Sequence, residues 1–250
     1  MKRTLVLAVL ALAVIASSAA AQDAAPAKDL AGALMSDVSG AASGKIIQYM
    51  LLISILSVAP GIVVMVTSFT RIVIALSFLR SGLGLQTTPA NIVMVSLALF
   101  LTFFIMAPTF DKAWTEGVQP LRQGTIAEQV AYDRTTAPFR QFMLKNVREK
   151  ELALFQSLAD DRGMGDQMQE DDLRILVPAF MVSELRRGFE IGFLVAVPFL
   201  IIDLVVATVT MSMGMMMLPP TVLSLPFKVL FFVLVDGWTL LVGSLVRSFT

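Results

Sequence analysis

Four long apolar stretches are the feature that most constrains the fold of this 250-residue chain. They cover residues 46–66, 91–108, 191–211 and 225–246. An α-helix rises about 1.5 Å per residue, so about 20 apolar residues cross the hydrocarbon core of a bilayer. The second stretch, which begins behind Pro89 and stops at Pro108, is just long enough. The sequence therefore predicts an all-α membrane protein with four hydrophobic segments.

Composition excludes several classes of function. Apolar residues make up 56% of the chain, charged residues only 15%, and the net charge is zero, so there is no basic field that would attract nucleic acid. The chain has no cysteine and no histidine, which removes disulfides, thiolate and imidazole catalysis and most zinc sites. No nucleophile stands near a base, and the short glycine motifs lack the context of a phosphate loop. We expect no enzymatic activity, no cofactor and no metal.

The first 21 residues have the pattern of a cleavable signal peptide. Lys2 and Arg3 precede an apolar core over 5–15, and small residues lead to predicted cleavage before Gln22. The alternative, an uncleaved first membrane helix, is disfavoured because about eleven apolar residues are too few to span. Residues 22–44 are rich in Ala, Gly, Ser and Asp, which is typical of a flexible linker.

Two positive charges predict the topology. Arg71 and Arg80 lie between the first two apolar stretches, and the positive-inside rule places this segment on the cytoplasmic side. The amino terminus is then outside, in agreement with the signal peptide. The domains follow as one hydrophobic helical hairpin over 45–108, a polar periplasmic insert over 109–190, and a second hydrophobic hairpin over 191–250.

The polar insert is predicted to be helical. From Pro138 onward, apolar residues recur at helical spacing as far as Leu158, and an acidic break follows. Asp171 and Asp172 suit the amino end of a second helix, and no breaker separates that helix from the third stretch, which predicts one long rod. The insert either packs on itself or buries its apolar faces against neighbouring subunits. We favour neighbouring subunits, because two apolar faces give little core for about eighty residues.

Three charges lie inside the apolar stretches: Asp203 in the third, and Lys228 and Asp236 in the fourth. A charge near the bilayer centre costs roughly 2.5 to 3.5 kcal/mol on insertion scales, so these groups should avoid lipid. One interpretation is an ion-coupled transporter that uses all three as a proton or ion path. The other, which we favour at this point, is a structural ion pair of Lys228 with Asp203 or Asp236.

Methionines are concentrated between the last two stretches, in the motif "MSMGMMMLPP". The five positions are Met211, Met213, Met215, Met216 and Met217. Methionine is often only a gap-filler in a helix end. Its flexible, polarizable side chain would also suit a deformable apolar seal, since a ring of such groups excludes water yet yields to a passing chain.

Three segments resemble the FliP family, core components of the flagellar type III protein export gate. They are "SFTRIVIALSFLRSGLGLQTTPANIVMVSLALFLTFFIMAP", "LVPAFMVSELRRGFEIGFLVAVPFLIIDLVVATVTMSMGMMMLPP" and "SLPFKVLFFVLVDGW". The resemblance covers most of the chain after Ser68 and is weak over the signal peptide, the linker and much of the insert.

The resemblance implies a multi-pass protein of the bacterial inner membrane and the flagellar basal body. It implies assembly as a pentamer with itself and with the Q and R components of the gate, alongside the A and B membrane proteins of the export apparatus. Unfolded flagellar proteins would pass through this channel. The equivalent subunit of a virulence injectisome is the near alternative.

The resemblance also implies roles for particular residues. A methionine gasket around the pore would fall on Met215, Met216 and Met217, with Met211 and Met213 as further candidates. The hydrophobic hairpins would assemble into a ring and sit largely above the usual membrane plane. Asp203, Lys228 and Asp236 would then be buried assembly contacts between subunits.

Overall fold

The computed structural model describes residues 43–85, 89–164, 171–214 and 219–249, and these residues form helices and no β-strand. The chain divides into two compact units, Met1–Val63 and Val64–Thr250. The predicted signal peptide, and the predicted linker up to residue 42, lie outside the described residues.

Nine α-helices and one π-helical turn account for the regular structure of the described ranges. They are α1 (Ser43–Val66), α2 (Phe69–Gly82), α3 (Asn91–Ala113), a π-helical turn (Trp114–Val118), α4 (Gln119–Arg122), α5 (Glu128–Asn146), α6 (Glu149–Asp161), α7 (Leu173–Ser212), α8 (Pro220–Leu234) and α9 (Gly237–Arg247).

Three of the described segments are long and apolar enough to cross a membrane: Tyr49–Val66, Asn91–Arg122 and Leu173–Ser212. The count rises to four if the bent pair α8–α9 forms one span. The expectation of an all-α protein with about four hydrophobic segments is thereby confirmed at the level of length and composition.

Helix α7 is the long rod that the sequence predicts. It continues for 40 residues, about 60 Å, through both Pro178 and Pro198. Asp172 occupies the N-cap, as expected, and its Oδ1 accepts a hydrogen bond from the Arg174 amide at 2.9 Å. This satisfies one of the donors that a helix start leaves without a partner.

Helix α3 does not stop at Pro108, where the apolar run was expected to end. It continues to Ala113 and, through the π-helical turn, into α4. Proline removes one N–H donor and crowds the preceding turn, which favours but does not force a helix end. Beyond the proline, the ring of Phe110 packs edge-on against Phe139 of α5 with centroids 5.7 Å apart, so tertiary contacts hold the continued helix.

The fourth apolar stretch is not one straight helix. Helices α8 and α9 meet at an angle of 63°. Asp236 lies at the break in a left-handed conformation, with φ 51°. A Cβ at Gly237 would lie 2.1 Å from the ring of Phe232, so this position requires glycine. The Asp-Gly pair is a turn signal that hydropathy alone overlooks.

The polar insert forms two helices where the sequence predicted one from Pro138. Helix α5 begins ten residues earlier, at Glu128, and an extended backbone at Val147 and Arg148 separates it from α6. Met143 of α5 is buried with Leu176 and Phe180 of α7. Part of the insert therefore packs within its own chain. Burial of its exposed apolar residues, such as Leu154 and Leu158, against neighbouring subunits stays a prediction.

Helix α2 packs closely on α7, and the two run in the same direction. Gly188 and Gly192 of α7 admit the side chains of Ile74 and Phe78, and a Cβ at Gly192 would lie 2.6 Å from Phe78. The main core contains residues from α2, α3 and α7 to α9 and from just beyond the ends of α2 and α9: Ile72, Ala75, Leu76, Leu79, Leu83, Met94, Ala98, Phe199, Phe232, Leu241, Leu245 and Phe249. This packing fixes the positions of the charged groups described next.

Candidate functional site

Asp203 of α7 and Lys228 of α8 form an ion pair. The Lys228 Nζ lies 2.6 Å from Asp203 Oδ2 and also donates to the carbonyl oxygen of Gly82 at 3.0 Å. Ser224, one turn before Lys228, donates its hydroxyl hydrogen to Asp203 Oδ1. Lys228 is only 4% exposed, so its charge is removed from water and balanced by these oxygens.

Lys228 also stabilises the carboxyl end of α2. Gly82 is the last residue of that helix, and the final carbonyl groups of a helix carry partial negative charge. One ammonium group therefore joins three helices, α2, α7 and α8. The sequence left two interpretations of these charges, an ion path and a structural ion pair. The geometry matches the second, with Asp203 as the partner of Lys228.

Asp236 lies apart from this cluster. It is exposed at the break between α8 and α9, and among the described residues it makes no ion pair with Lys228. The structure therefore brings two of the three intramembrane charges together and leaves the third elsewhere.

A second charged cluster was not anticipated. Arg71 of α2 and Glu184 of α7 are both fully buried. Arg71 Nε donates to Glu184 Oε2 at 2.9 Å, and its Nη2 donates to the other carboxylate oxygen. Arg71 Nη1 donates to the carbonyl and hydroxyl oxygens of Ser248 at 2.8 and 2.9 Å, and the guanidinium carbon lies 3.6 Å from the ring centre of Phe249.

This cluster bears on the predicted topology. Arg71 was assigned to a cytoplasmic segment and Glu184 to the periplasmic insert, yet the two side chains are in direct contact. Groups in contact cannot lie on opposite sides of a bilayer. The two assignments therefore cannot both hold in this fold.

The sequence contains a signal for the cluster. Phe180, Glu184, Gly188 and Gly192 recur every four residues, and all four are buried. A carboxylate on the buried face of a helix requires a partner, and Arg71 is the one charged residue in the first ten residues of α2.

Arg80, the other residue of the topology prediction, lies in the last turn of α2 and is partly exposed. Its Nη1 donates to Asn91 Oδ1 at the start of α3. Arg80 thus links the end of α2 to the start of α3.

The structure describes only part of the methionine motif. Met211 lies in the last turn of α7 and Met213 follows its end, and their side chains are 59% and 67% exposed. Met215, Met216 and Met217 lie outside the described residues. No group of three or more Asp or Glu side chains with the spacing of a metal site occurs in the described ranges.

Helices α7 and α8 expose large apolar surfaces. On α7 the exposed residues include Phe189, Phe193, Leu194, Leu200, Ile201, Leu204, Val205 and Val209. On α8 they are Val222, Phe227, Leu230, Val233 and Leu234. Contiguous apolar surface of this kind is buried against lipid or against other protein chains.

Comparison with known proteins gives consistent results. The sequence profile of the FliP family matches residues 52–245. A flagellar biosynthetic protein FliP of Rhizobium meliloti is 61% identical over 217 residues, which cover 86% of this chain and 89% of the relative. A protein of the same name from Agrobacterium fabrum is 62% identical over 85% of this chain and 87% of its own length. That of Bacillus subtilis is 52% identical over 81% of this chain and 91% of its own length.

Proposed function

Because this chain belongs to the FliP family, we propose that it is a pore-forming core subunit of the flagellar type III protein export gate. The observation that carries the proposal is the family match, which extends over residues 52–245 and so covers the second and third apolar stretches completely and most of the first and fourth. The relatives' names are those of flagellar biosynthetic proteins, which favours the flagellar apparatus over a virulence injectisome.

The gate would be a ring of several copies, five by family resemblance, joined by the Q and R components and surrounded by the A and B membrane proteins. The exposed apolar faces of α7 and α8 support assembly, because a lone chain would leave them uncovered. We place the complex in the bacterial inner membrane, at the flagellar basal body, with unfolded flagellar proteins as its cargo. The subunit itself would catalyse no reaction.

The seal of the channel would be the methionine gasket, formed by Met215, Met216 and Met217, with Met211 and Met213 beside it. The exposure of Met211 and Met213 supports this proposal, since more than half of each residue is left uncovered by its own chain. A ring of thioethers excludes water because it is apolar, and it yields to a polypeptide because each side chain has three rotatable bonds.

Asp203 and Lys228 would serve assembly rather than ion conduction. Their charges are balanced by each other, by Ser224 and by the end of α2, so the pair already has the contacts that a static element needs. Asp236, exposed at the bend, would contact a neighbouring subunit. An ion-coupled transporter would need a relay of groups, and the lack of an ion pair between Asp236 and Lys228 among the described residues disfavours one.

Replacement of the three gasket methionines tests the proposal. We expect Met215→Ala, Met216→Ala and Met217→Ala together to raise the ion permeability of cells that express the complex, because smaller side chains leave a wetted opening. Flagellar protein export and ion leakage should be measured in the same strain. The matched control replaces the same three residues by Leu, which stays apolar and should leak much less.

Two results would contradict the gasket. One is unchanged ion retention and export in the triple alanine variant, with the protein present at its normal level. The other is equal leakage in the alanine and leucine variants, which would indicate damage to the assembly rather than loss of a seal.

A further inference from the structure

The carboxyl end of α7 presents two exposed methionines, Met211 and Met213. More than half of each residue is left uncovered by the chain. Met94, Met106 and Met143, by contrast, are buried. The thioether groups of this protein therefore include an accessible pair at the end of α7 and a shielded set in its interior.

The two methionines of this pair lie on different sides of the helix end. Successive residues of an α-helix are turned by about 100°, so side chains two positions apart point in nearly opposite directions. Met211 belongs to the last turn of α7, and Met213 is its C-cap. Because both are exposed, the described part of the chain covers neither side of this helix end.

An exposed thioether reacts with peroxides. One oxygen of hydrogen peroxide is transferred to the sulfur, the O–O bond breaks, and both hydrogens leave with the other oxygen as water. The sulfur loses two electrons to the peroxide, and the product is methionine sulfoxide. The reaction turns a flexible apolar side chain into a polar one.

The hydrogen-bond donors nearest to the pair on α7 are already in use. The hydroxyl groups of Thr208, Thr210 and Ser212 donate to backbone carbonyl oxygens one turn earlier. A sulfoxide oxygen accepts hydrogen bonds and donates none, and the last carbonyl groups of the helix are acceptors with partial negative charge. The sulfoxide oxygen therefore takes its hydrogen bonds from water, which is drawn to this end of the helix.

We propose that Met211 and Met213 are oxidation sites through which peroxide opens the seal of the channel. This inference rests on the proposed gasket, since the pair lies just before residues 215–217 in that seal. An apolar constriction blocks ions only while it is free of water. Sulfoxides beside it bring water to the constriction, so the gate leaks ions after oxidation, and enzymatic reduction of the sulfoxides closes it again.

Oxidation of the reconstituted complex tests the proposal. The full-length protein, with the partners that copurify, is placed in liposomes that contain an ion-sensitive dye, and hydrogen peroxide is added. Met215, Met216 and Met217 are replaced by Leu throughout, so that Met211 and Met213 are the only oxidisable side chains of the motif. Mass spectrometry of the same samples measures how much of each methionine carries an additional oxygen.

We expect Met211 and Met213 to be oxidised about tenfold faster than Met106 and Met143, since susceptibility follows exposure. Ion leakage should rise about fivefold with this oxidation, and the two methionine sulfoxide reductases, one for each epimer, should reverse both changes. When Met211 and Met213 are also replaced by Leu, peroxide should not change the leakage.

The matched control is Met50→Leu, Met65→Leu in the same background. These two methionines of α1 are also exposed, so the control removes the same number of accessible thioethers from another helix. The rise in leakage after addition of peroxide should be the same as without these two replacements.

Three results would overturn the proposal. Oxidation of the pair no faster than that of Met106 would show that the assembled complex covers it. Leakage that still rises after both are replaced by Leu, or that stops rising in the α1 control, would place the effect elsewhere. Oxidation of the pair without leakage would show that its polarity does not open the seal. The gasket itself would still be judged by the triple alanine variant, which needs no peroxide.

Discussion

Arg71 and Glu184 form an ion pair from which water is excluded. A buried pair of this kind adds little net stability, because the cost of dehydrating two charges offsets their attraction. Removal of one partner is much more costly, since it leaves the other charge buried and unbalanced. The pair therefore acts mainly to fix which parts of α2 and α7 lie side by side.

Substitution of Glu184 tests this at the residue scale. We expect Glu184→Gln to destabilise the fold by about 3–5 kcal/mol, because the Arg71 guanidinium loses its counter-charge. Thermal unfolding in detergent, followed by circular dichroism, measures the effect.

The control for that measurement is Glu190→Gln. Glu190 lies on the same helix as Glu184 and pairs with Arg148 and Arg186, but its side chain is 49% exposed. Exposed pairs contribute about 1 kcal/mol or less, so the shift in unfolding temperature should be small. Equal shifts of the unfolding temperature in both variants would show that the buried pair of Arg71 and Glu184 matters no more for stability than the exposed one.

Sequence reasoning predicted some features at this scale and missed others. It identified Asp203 and Lys228 as groups that must avoid lipid, since charge inside an apolar stretch is visible in the sequence. It treated Arg71 as a topological signal because the positive-inside rule counts charges and takes no account of burial. The partner of Arg71 lies 113 residues away, and only the tertiary fold shows that the two meet.

At the scale of helices, glycines set the distance between α2 and α7. Small residues at the interface of two apolar helices let their backbones approach closely. Gly192 lies under the ring of Phe78, and Gly188 lies under Ile74. The approach brings Arg71 and Glu184 into contact at one end and Gly82 to Lys228 at the other.

A methyl group at this interface should separate the helices. We expect Gly192→Ala to destabilise the protein by about 1–3 kcal/mol, because the new Cβ overlaps Phe78 and forces a shift. Thermal unfolding in detergent measures this, and Phe78→Leu in the same chain should restore part of the loss.

In the control Gly243→Ala, where nothing lies within 4 Å of the new Cβ, the higher helix propensity of alanine should stabilise α9 by about 0.5–1 kcal/mol. A stabilising effect at both positions would disprove close packing at Gly192.

The start of α7 should depend on acid pH. Asp172 accepts hydrogen bonds from the Arg174 side chain and from the Arg174 amide, and these lower the pKa of its carboxyl group to about 2. Since the pKa is lowered in the folded state, the stabilising effect is complete above about pH 4 and is lost as the pH falls towards 2. Hydrogen exchange measures this loss. As the pH falls from about 4 towards 2, the amides of residues 174–176 should lose protection in the wild-type protein relative to Asp172→Asn. Parallel behaviour of the two proteins between these pH values would contradict the role of the cap.

Helices were more predictable than their ends. The continuity of α7 follows from an apolar pattern without a breaker, and the role of Asp172 follows from its place before that pattern. The continuation of α3 beyond Pro108 depends on contacts with α5 that no local rule contains. The bend at Asp236 has a local signal in the Asp-Gly pair, but its angle comes from the packing of Gly237 on Phe232.

At the scale of the molecule, the exposed apolar surface and the buried charges both lead us to expect that the chain works as part of a larger assembly. The outer faces of α7 and α8 need to be covered, and the proposed gate covers them with further copies and with the Q and R components. Hydropathy detects such surfaces, but it does not distinguish a surface covered by lipid from one covered by protein. The depth of these helices in the membrane therefore does not follow from sequence.

Native gel electrophoresis in mild detergent tests assembly. Coexpressed with Q- and R-type partners, the protein should migrate as one large complex that contains several copies of the chain, because its apolar faces are shared between subunits. An ion-coupled transporter would instead migrate as a monomer or dimer. Migration of the chain as a monomer, with its partners released, would contradict the proposed gate.

The contacts of Arg71 with Ser248 have a consequence for biosynthesis. The two residues are separated by 177 positions, so at about 5–20 residues per second the ribosome needs roughly 9 to 35 s to supply the second after the first. During that interval a nascent chain holds a guanidinium whose final carbonyl ligand has not yet been made. Insertion machinery or a chaperone that shields α2 until Ser248 has been made would protect the unfinished chain from quality-control proteases.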